Sequence, residues 1–206
     1  MKTLIAIPCM DTVPVGFAES LLNLHKPDGT KVCFKGNSLV YDSRNILSLT
    51  AIENNFEVVM WLYSDMIVPP DTIEKFAAYC AEGKEMVTGL YVRRRPPVKP
   101  VIYDQLDEPG RDADGKLTSR LHAFEDYPRN DLFRVEACGF GCVMTKVDLL
   151  KRVWEKFGPA FAPYPWAGED ISFCFRVKQL GVPIYCDSSV SCGHVGTFIF
   201  TEEVMQ

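Results

Sequence analysis

Short apolar runs alternate with amphipathic segments along most of the chain. Residues 3–8 and 57–63 are apolar runs with too little alternation for one face of a strand to remain in water. Such runs are typical of strands that are covered on both faces in a parallel sheet. We therefore predict buried strands there, a short strand over residues 31–34, and further strands over residues 86–92 and 182–186.

The segments between these runs carry apolar residues at helical spacing. Asp42 or Ser43 is suited to cap one helix, and Asp71 with Glu74 has the spacing of a helix cap and its reciprocal partner. Gly83 lies just past the expected end of the latter helix. The predicted helices cover approximately residues 15–24, 43–54, 72–82, 146–157 and 169–180.

Alternating strands and helices predict an α/β fold, with a mostly parallel central sheet flanked by helices. Residues 104–134 differ, because they are polar and rich in turn residues. We interpret them as an inserted hairpin or flap over one edge of the sheet. With neither an internal repeat nor a linker, residues 1–206 are predicted to form a single domain.

The charge balance narrows the range of functions. The 206 residues carry a net charge of -5, which argues against a general binder of nucleic acids or anionic membranes. The N-terminal apolar stretch is interrupted by Pro8 and Asp11 before it reaches the length of a leader or a membrane span. We expect a cytoplasmic protein without a transmembrane segment, whose eight cysteines are free thiols.

Candidate metal-binding and catalytic residues lie at the end of an apolar run and at a predicted helix start. Asp65 follows the run at residues 57–63 and precedes Pro69 and Pro70. A carboxylate at the carboxyl end of such a strand suits Mg²⁺ or Mn²⁺, although aspartate is also common in turns. Glu169 and Asp170 lie at a predicted helix start, where a carboxylate is stabilised by the helix dipole and can act as a general base.

The ordered set of motifs resembles the GT-A fold nucleotide-sugar glycosyltransferases, especially the short family-2-like enzymes of bacteria and viruses. The resemblance runs from about residue 5 to residue 196. The motifs that carry it are IAIPCMD, DSRNILSLTA, WLYSDMIVPP, VTGLYVRR, ACGFGCVMTK and GEDISFCFRVKQLGVPIYCDSSVSCGHVG.

The resemblance implies a Rossmann-like GT-A domain with hexosyltransferase activity, using Mn²⁺ or Mg²⁺ and a UDP-sugar. It implies that Asp65 and His194 bind the metal, and that Asp170, with Glu169 beside it, is the catalytic base. The implied acceptor is a hydroxyl of a glycan, lipid or protein, with Trp166 and Gly168 on its side of the site. The residues implied for the donor site are Pro8, Cys9, Met10, Arg44, Ser64, Gly139 and Gly141, with residues 93–95 as additional positive charge.

One position departs from the family pattern. Tyr63 stands where the first aspartate of the Asp-x-Asp signature is expected, so the motif reads Tyr-Ser-Asp. Two alternatives therefore stay open. One is a non-catalytic nucleotide- or carbohydrate-binding module with a decayed signature. The other is a sugar-1-phosphate nucleotidyltransferase, which would need a glycine-rich basic loop where Cys9, Met10 and Asp11 stand.

Overall fold

The computed structural model describes residues 1–107, 110–115, 117–118, 121–196 and 199–202. Part of the predicted flap, at residues 108–109, 116 and 119–120, lies outside the described residues. The described helices are α1 (Val15–Asn23), α2 (Val40–Glu53), α3 (Thr72–Ala81), α4 (Val147–Phe157) and α5 (Glu169–Gln179). The described strands are β1 (Thr3–Pro8), β2 (Lys31–Lys35), β3 (Val58–Leu62), β4 (Met66–Ile67), β5 (Met86–Leu90), β6 (Ile102–Leu106), β7 (Gly110–Arg111), β8 (Leu117–Thr118), β9 (Leu121–Ala123), β10 (Leu132–Val135), β11 (Ala137–Cys138), β12 (Cys142–Lys146), β13 (Ile184–Ser191), β14 (Gly193–Val195) and β15 (Ile199–Phe200).

A seven-stranded sheet forms the centre of the fold, in the order β10-β13-β5-β12-β3-β1-β2. The pairs β1 with β2, β1 with β3, and β5 with β13 are parallel, whereas β12 is antiparallel to both of its neighbours and β10 is antiparallel to β13. Five of the seven strands therefore run in the same direction, with β10 and β12 reversed, and the prediction of an α/β fold with a mostly parallel sheet is confirmed. The prediction for β3 is only half right, because β3 is parallel to β1 but antiparallel to β12.

Both faces of the sheet are covered, which explains the uninterrupted apolar runs. Every residue of β1, β3 and β5 is buried. One face of β1 packs with Leu47 and Ala51 of α2, and the other packs with Phe17 of α1 and residues of α3. All eight cysteines are free thiols, as predicted, and six of them are buried.

The start of α2 differs from the prediction. The helix begins at Val40 with Leu39 as its cap residue, and no side chain caps it. Ser43 is instead buried inside the helix, where its hydroxyl hydrogen-bonds the Ser38 hydroxyl at 2.7 Å. Arg44 also lies on the buried face of α2, one turn before Leu47, and this placement matters for the site.

Three small sheets accompany the central one among the described residues, the smallest being the pair β7-β8. The first of the two three-stranded sheets, in the order β11-β6-β9, contains residues 104–106 and 121–123 of the predicted flap. The second, in the order β15-β14-β4, is the one that builds the site. It forms beyond the carboxyl end of β3, where the chain turns through Ser64 and Asp65 into β4.

Candidate active site

Strand pairing brings Asp65 and His194 together. Met66 of β4 pairs antiparallel with His194 of β14, and the Val195 amide donates to the Asp65 carbonyl at 2.7 Å. The chain reaches Asp65 directly from the buried strand β3, and residues 69–70 then turn it into α3. Two residues 129 positions apart in the sequence, 65 and 194, therefore share one backbone ladder.

The Asp65 and His194 side chains each point a hydrogen-bond acceptor atom at the other. The His194 Nδ1 lies 2.8 Å from the Val92 carbonyl, which only accepts, so Nδ1 carries the proton and donates. In the neutral ring Nε2 is then an acceptor, and it faces Asp65 Oδ1 at 3.6 Å. That carboxylate oxygen is buried and has no hydrogen-bond partner among the described residues.

A divalent cation fits between these two atoms. Mg²⁺ and Mn²⁺ accept carboxylate, imidazole and phosphate oxygen ligands at about 2 Å, and a ligand pair 3.6 Å apart can share one ion. Within the described part of the chain, no group of three or more His, Cys, Asp or Glu side chains is placed to share a metal. Such an ion would therefore take its remaining ligands from water and from a bound phosphate.

A cationic hairpin borders this pair. The hairpin leaves β5 and is closed at its base by the Val92 bridge to Pro100 and by the Arg93 amide, which donates to the Lys99 carbonyl at 3.1 Å. From it, Arg94 Nη1 contacts Asp65 Oδ2 at 2.9 Å and donates to the Val195 carbonyl at 3.0 Å. Arg95 is exposed beside it.

The hairpin, His194 and the start of α5 surround one cleft of about 580 Å³. Asp170 and His194 both line it, although they come from different parts of the sequence. Val101 and Gly196 complete the wall. The other lining residues are Tyr63, Tyr91, Arg93, Arg94 and Arg95.

Asp170 is the carboxylate of the cleft. It occupies the first turn of α5, and its Oδ1 accepts a hydrogen bond from the Ile171 amide at 2.8 Å. Burial raises the pKa of Asp170 to about 6, and the negative charge of Glu169 raises it too, against the opposing effects of the Ile171 amide and Arg44. A carboxyl group with such a pKa is matched to proton transfer near neutral pH.

Glu169 and Arg44 form an interior support instead of lining the cleft. Arg44 is fully buried, with its Nε 3.5 Å from Glu169 Oε1 and its Nη2 donating to the Phe140 carbonyl at 3.3 Å. In this conformation the guanidinium is not accessible to a diphosphate, so the implied donor contact of Arg44 receives no support. Glu169 is likewise committed to this ion pair, so Asp170 is the one of the two carboxylates that lines the cleft.

Aromatic rings complete the cage around Arg44. Its guanidinium lies 4.9 Å from the Tyr63 ring centroid, and Trp61, Phe140 and Phe161 also surround it. The Tyr63 hydroxyl donates to Glu169 Oε1 at 3.5 Å, and burial raises the pKa of Tyr63 so that this hydroxyl stays protonated. Tyr63, which stands where the resemblance implies an aspartate, thus contacts Glu169 in the first turn of α5.

The two glycines provide space for a tyrosine. A Cβ at Gly139 would lie 2.1 Å from the Tyr91 hydroxyl oxygen, and a Cβ at Gly141 would lie 2.8 Å from Tyr91 Cζ. The Gly141 amide also donates to that hydroxyl at 3.2 Å. The Tyr91 ring fills the space beside both glycines, and their role in the donor site stays a prediction.

Tyr91 itself was missed by the sequence reasoning. It is buried and lines the cleft, and its ring meets the His194 imidazole edge-on at 5.6 Å between centroids. The available signal was an aromatic residue placed directly after a buried strand and directly before three arginines.

The remaining predicted donor-site residues lie near the same edge of the sheet. Pro8 ends β1, which is parallel to β3, so Cys9 and Met10 emerge at the same edge as Asp65. Met10 is 76% exposed. Ser64 occupies the turn next to Asp65. None of these four is in the wall of the cleft as described, and their donor-binding roles stay predictions.

The predicted acceptor side is partly preorganised. Trp166 stacks on Tyr164 with ring centroids 5.2 Å apart and meets Phe175 edge-on, so one face of the indole is already covered. Gly168 is the cap residue of α5, and a Cβ there would lie 3.2 Å from Asp170 Oδ1. Their contact with an acceptor also stays a prediction.

Comparison with solved structures defines the fold. The chain is similar to A197 from STIV, with a TM-score of 0.70 and 22% identity, over 95% of this chain and 86% of that one. It is also similar to GalNAc-T7, solved with UDP, GalNAc and Mn²⁺, with a TM-score of 0.62 and 10% identity, over 95% of this chain and 44% of GalNAc-T7. The fold is GT-A-like.

The matches to this chain come from the comparison of structures and not from the comparisons of sequence. No family model matches it, and no curated protein matches it. Among the described residues, no helix combines the length and the apolar character needed to cross a membrane.

Proposed function

We propose that the protein is a metal-dependent glycosyltransferase that moves a sugar from a nucleotide-diphospho-sugar to an acceptor hydroxyl. The observation that carries the proposal is the convergence on one cleft of Asp170, with its raised pKa, and His194, with Asp65 behind it. A general base and a site for a phosphate-bound cation are the two groups that such a transfer needs. The GT-A-like fold supports the same assignment.

The donor is proposed to be a UDP-sugar. The UDP and Mn²⁺ present with GalNAc-T7 motivate this choice, as does the chemistry of this chain's own residues. Asp65 and His194 would hold Mn²⁺ or Mg²⁺, which supplies Lewis-acid stabilisation of the departing diphosphate. Arg95, exposed in the cleft wall, would add positive charge where the leaving group becomes more negative.

Asp170 is assigned the proton transfer. Its carboxylate takes the proton of the acceptor hydroxyl while that oxygen forms the new bond to the anomeric carbon. The bond from the anomeric carbon to the diphosphate oxygen breaks, and its electron pair leaves with the nucleoside diphosphate. This sequence uses a single displacement and predicts inversion at the anomeric carbon.

The raised pKa of Asp170 favours an enzyme over a non-catalytic binding module. Keeping a carboxylate poorly solvated beside a second carboxylate costs stability, and such arrangements concentrate at catalytic sites. A module that only binds nucleotide has no use for this arrangement. The nucleotidyltransferase alternative gains nothing from residues 9–11, which lack the basic glycine-rich loop that it needs.

The test is binding followed by turnover. Thermal shift with UDP, ADP, GDP and CDP, each with and without Mn²⁺, should show a shift of the melting temperature with one nucleotide that depends on Mn²⁺. His194→Ala should remove the dependence on Mn²⁺, whereas His25→Ala, an exposed histidine paired with Glu74, should not. Absence of any shift with all four nucleotides would refute the proposal.

Turnover separates the enzyme from the binding module. Hydrolysis or transfer of the matching nucleotide-sugar should fall at least a hundredfold in Asp170→Asn while UDP affinity changes less than threefold, on the usual scale of a lost general base. Equal losses of both quantities would mean that Asp170 is not the base.

A further inference from the structure

The carboxylate assigned to the metal is already neutralised by an arginine of the same chain. Arg94 Nη1 lies 2.9 Å from Asp65 Oδ2, and the same nitrogen donates to the Val195 carbonyl next to His194. Arg94 belongs to the wall of the cleft, whereas Asp65 does not. A cation that approaches Asp65 from the cleft therefore meets a guanidinium first.

The pairing is one-sided. Arg94 uses Oδ2 alone, and Oδ1 stays buried without a hydrogen-bond partner while facing His194 Nε2 at 3.6 Å. An arginine whose only purpose was to neutralise Asp65 permanently would satisfy both oxygens through its two-pronged geometry. The arrangement instead leaves the ligand pair preformed for a cation that has to compete for the charge of the carboxylate.

Arg94 is able to leave Asp65 without unfolding the hairpin. Its side chain is 46% exposed, and the hairpin is held at its base by the Val92 bridge and by the Arg93 hydrogen bond to Lys99. Rotation of the long, flexible side chain alone frees the carboxylate. The cleft into which the side chain would turn is the one proposed to hold the diphosphate.

We propose that Arg94 is a displaceable counter-ion of the metal site. In the nucleotide-free protein it neutralises the charge of Asp65. When a divalent cation binds the carboxylate, the Arg94 side chain turns away and its guanidinium contacts the donor diphosphate. This inference rests on the proposed function for its second half, the transfer to the diphosphate. Its first half, competition between Arg94 and a cation for Asp65, stands on the geometry of the chain alone.

Cooperativity between cation and nucleotide follows. The cation alone binds weakly, because it has to break the pair between Arg94 and Asp65 with no new partner for the guanidinium. UDP provides that partner, so UDP strengthens cation binding and the cation strengthens UDP binding by the same factor. The device keeps the site from holding a metal when no donor is present.

The experiment titrates Mn²⁺ alone into the wild type, Arg94→Gln and Lys99→Gln, with free Mn²⁺ measured by electron paramagnetic resonance. Lys99→Gln is the matched control, because it removes the same charge from the same hairpin at a side chain that pairs with Glu125 and lies outside the cleft wall. Arg94→Gln should bind Mn²⁺ about three- to tenfold more tightly than Lys99→Gln, the scale of one partly exposed ion pair. The factor by which UDP tightens Mn²⁺ binding should shrink in Arg94→Gln alone.

The outcomes separate the inference from the proposed function. Equal Mn²⁺ affinity in the two variants, weaker binding in Arg94→Gln, or no Mn²⁺ binding by either variant would overturn the inference. If the wild type binds UDP with Mn²⁺ and the variants are indistinguishable, the inference fails and the proposed function stands. If no nucleoside diphosphate binds, the proposed function fails, and tighter Mn²⁺ binding by Arg94→Gln would still support the competition for Asp65.

Discussion

Replacing Asp170 by asparagine should make the protein more stable at neutral pH while removing its activity. In the folded protein the pKa of Asp170 lies at about 6, against an ordinary value of 3.8. The folded state therefore holds a proton that the unfolded state has released between these two values, and the stability of the wild type falls as pH rises from about 4 to about 6. Asparagine imitates the protonated carboxyl group and accepts the same hydrogen bond from Ile171.

The magnitude follows from the same shift. A rise in pKa from 3.8 to about 6 corresponds to about 3 kcal/mol, at about 1.4 kcal/mol for each pH unit. The free energy of unfolding of Asp170→Asn should thus match that of the wild type near pH 4 and exceed it by as much as ~3 kcal/mol above pH 7. In the wild type, kcat/KM should rise with pH through a midpoint near 6, as the base loses its proton.

Urea unfolding followed by circular dichroism at pH 4.5, 6.0 and 7.5 measures the difference. Asp148→Asn is the control, because Asp148 lies in the first turn of α4 as Asp170 does in α5, yet its side chain is 81% exposed. Its effect should be small and nearly independent of pH. The stability difference between Asp170→Asn and the wild type could instead be independent of pH, or Asp170→Asn could be less stable than the wild type at pH 7.5. Either result would show that the ionised Asp170 carboxylate does not destabilise the folded protein, and would remove the physical argument for Asp170 as the base.

Two further predictions concern the supports of the site. Glu169→Gln leaves the charge of the fully buried Arg44 without its carboxylate partner. It should lower the free energy of unfolding by roughly 3 kcal/mol, an effect opposite in sign to that of Asp170→Asn. A loss below about 1 kcal/mol in urea unfolding would show that the surrounding aromatic rings stabilise the guanidinium without Glu169. Gly141→Ala places a Cβ 2.8 Å from Tyr91 Cζ and should cost about 1–3 kcal/mol by the same assay, whereas Gly110→Ala, with open space around it, should cost less than about 1 kcal/mol. Equal losses of stability for the two substitutions would contradict the close packing of Gly141 against the Tyr91 ring.

Much of the fold could be predicted because buried strands and helices leave a pattern of apolar residues in the sequence. The apolar run of β1 is bounded by Thr3 and Pro8, and the observed strand has these limits. The start of α2 was harder, because Ser43 is a good cap residue by type but lies on the buried face of the helix, where its hydroxyl found Ser38. Local preference was overridden by packing.

The site could be predicted in part, for a similar reason. Carboxylates at a strand end and a helix start point to one edge of the sheet, and the structure does bring Asp170 and His194 into one cleft. The depth of Arg44 could not be deduced from its charge, although its spacing from Leu47 and Ala51 placed it on the apolar stripe. The pairing of Asp65 with Arg94 depends on the course of a hairpin, which periodicity does not encode.

An anomalous difference map from crystals grown with UDP and Mn²⁺, recorded at the manganese absorption edge, tests most directly whether Asp65 and His194 hold the metal. We predict one strong peak about 2.2 Å from both Asp65 Oδ1 and His194 Nε2, in contact with the diphosphate and with Arg94 moved off the carboxylate. UDP bound in the cleft with no manganese peak between Asp65 and His194, or with manganese at another place on the protein, would contradict it.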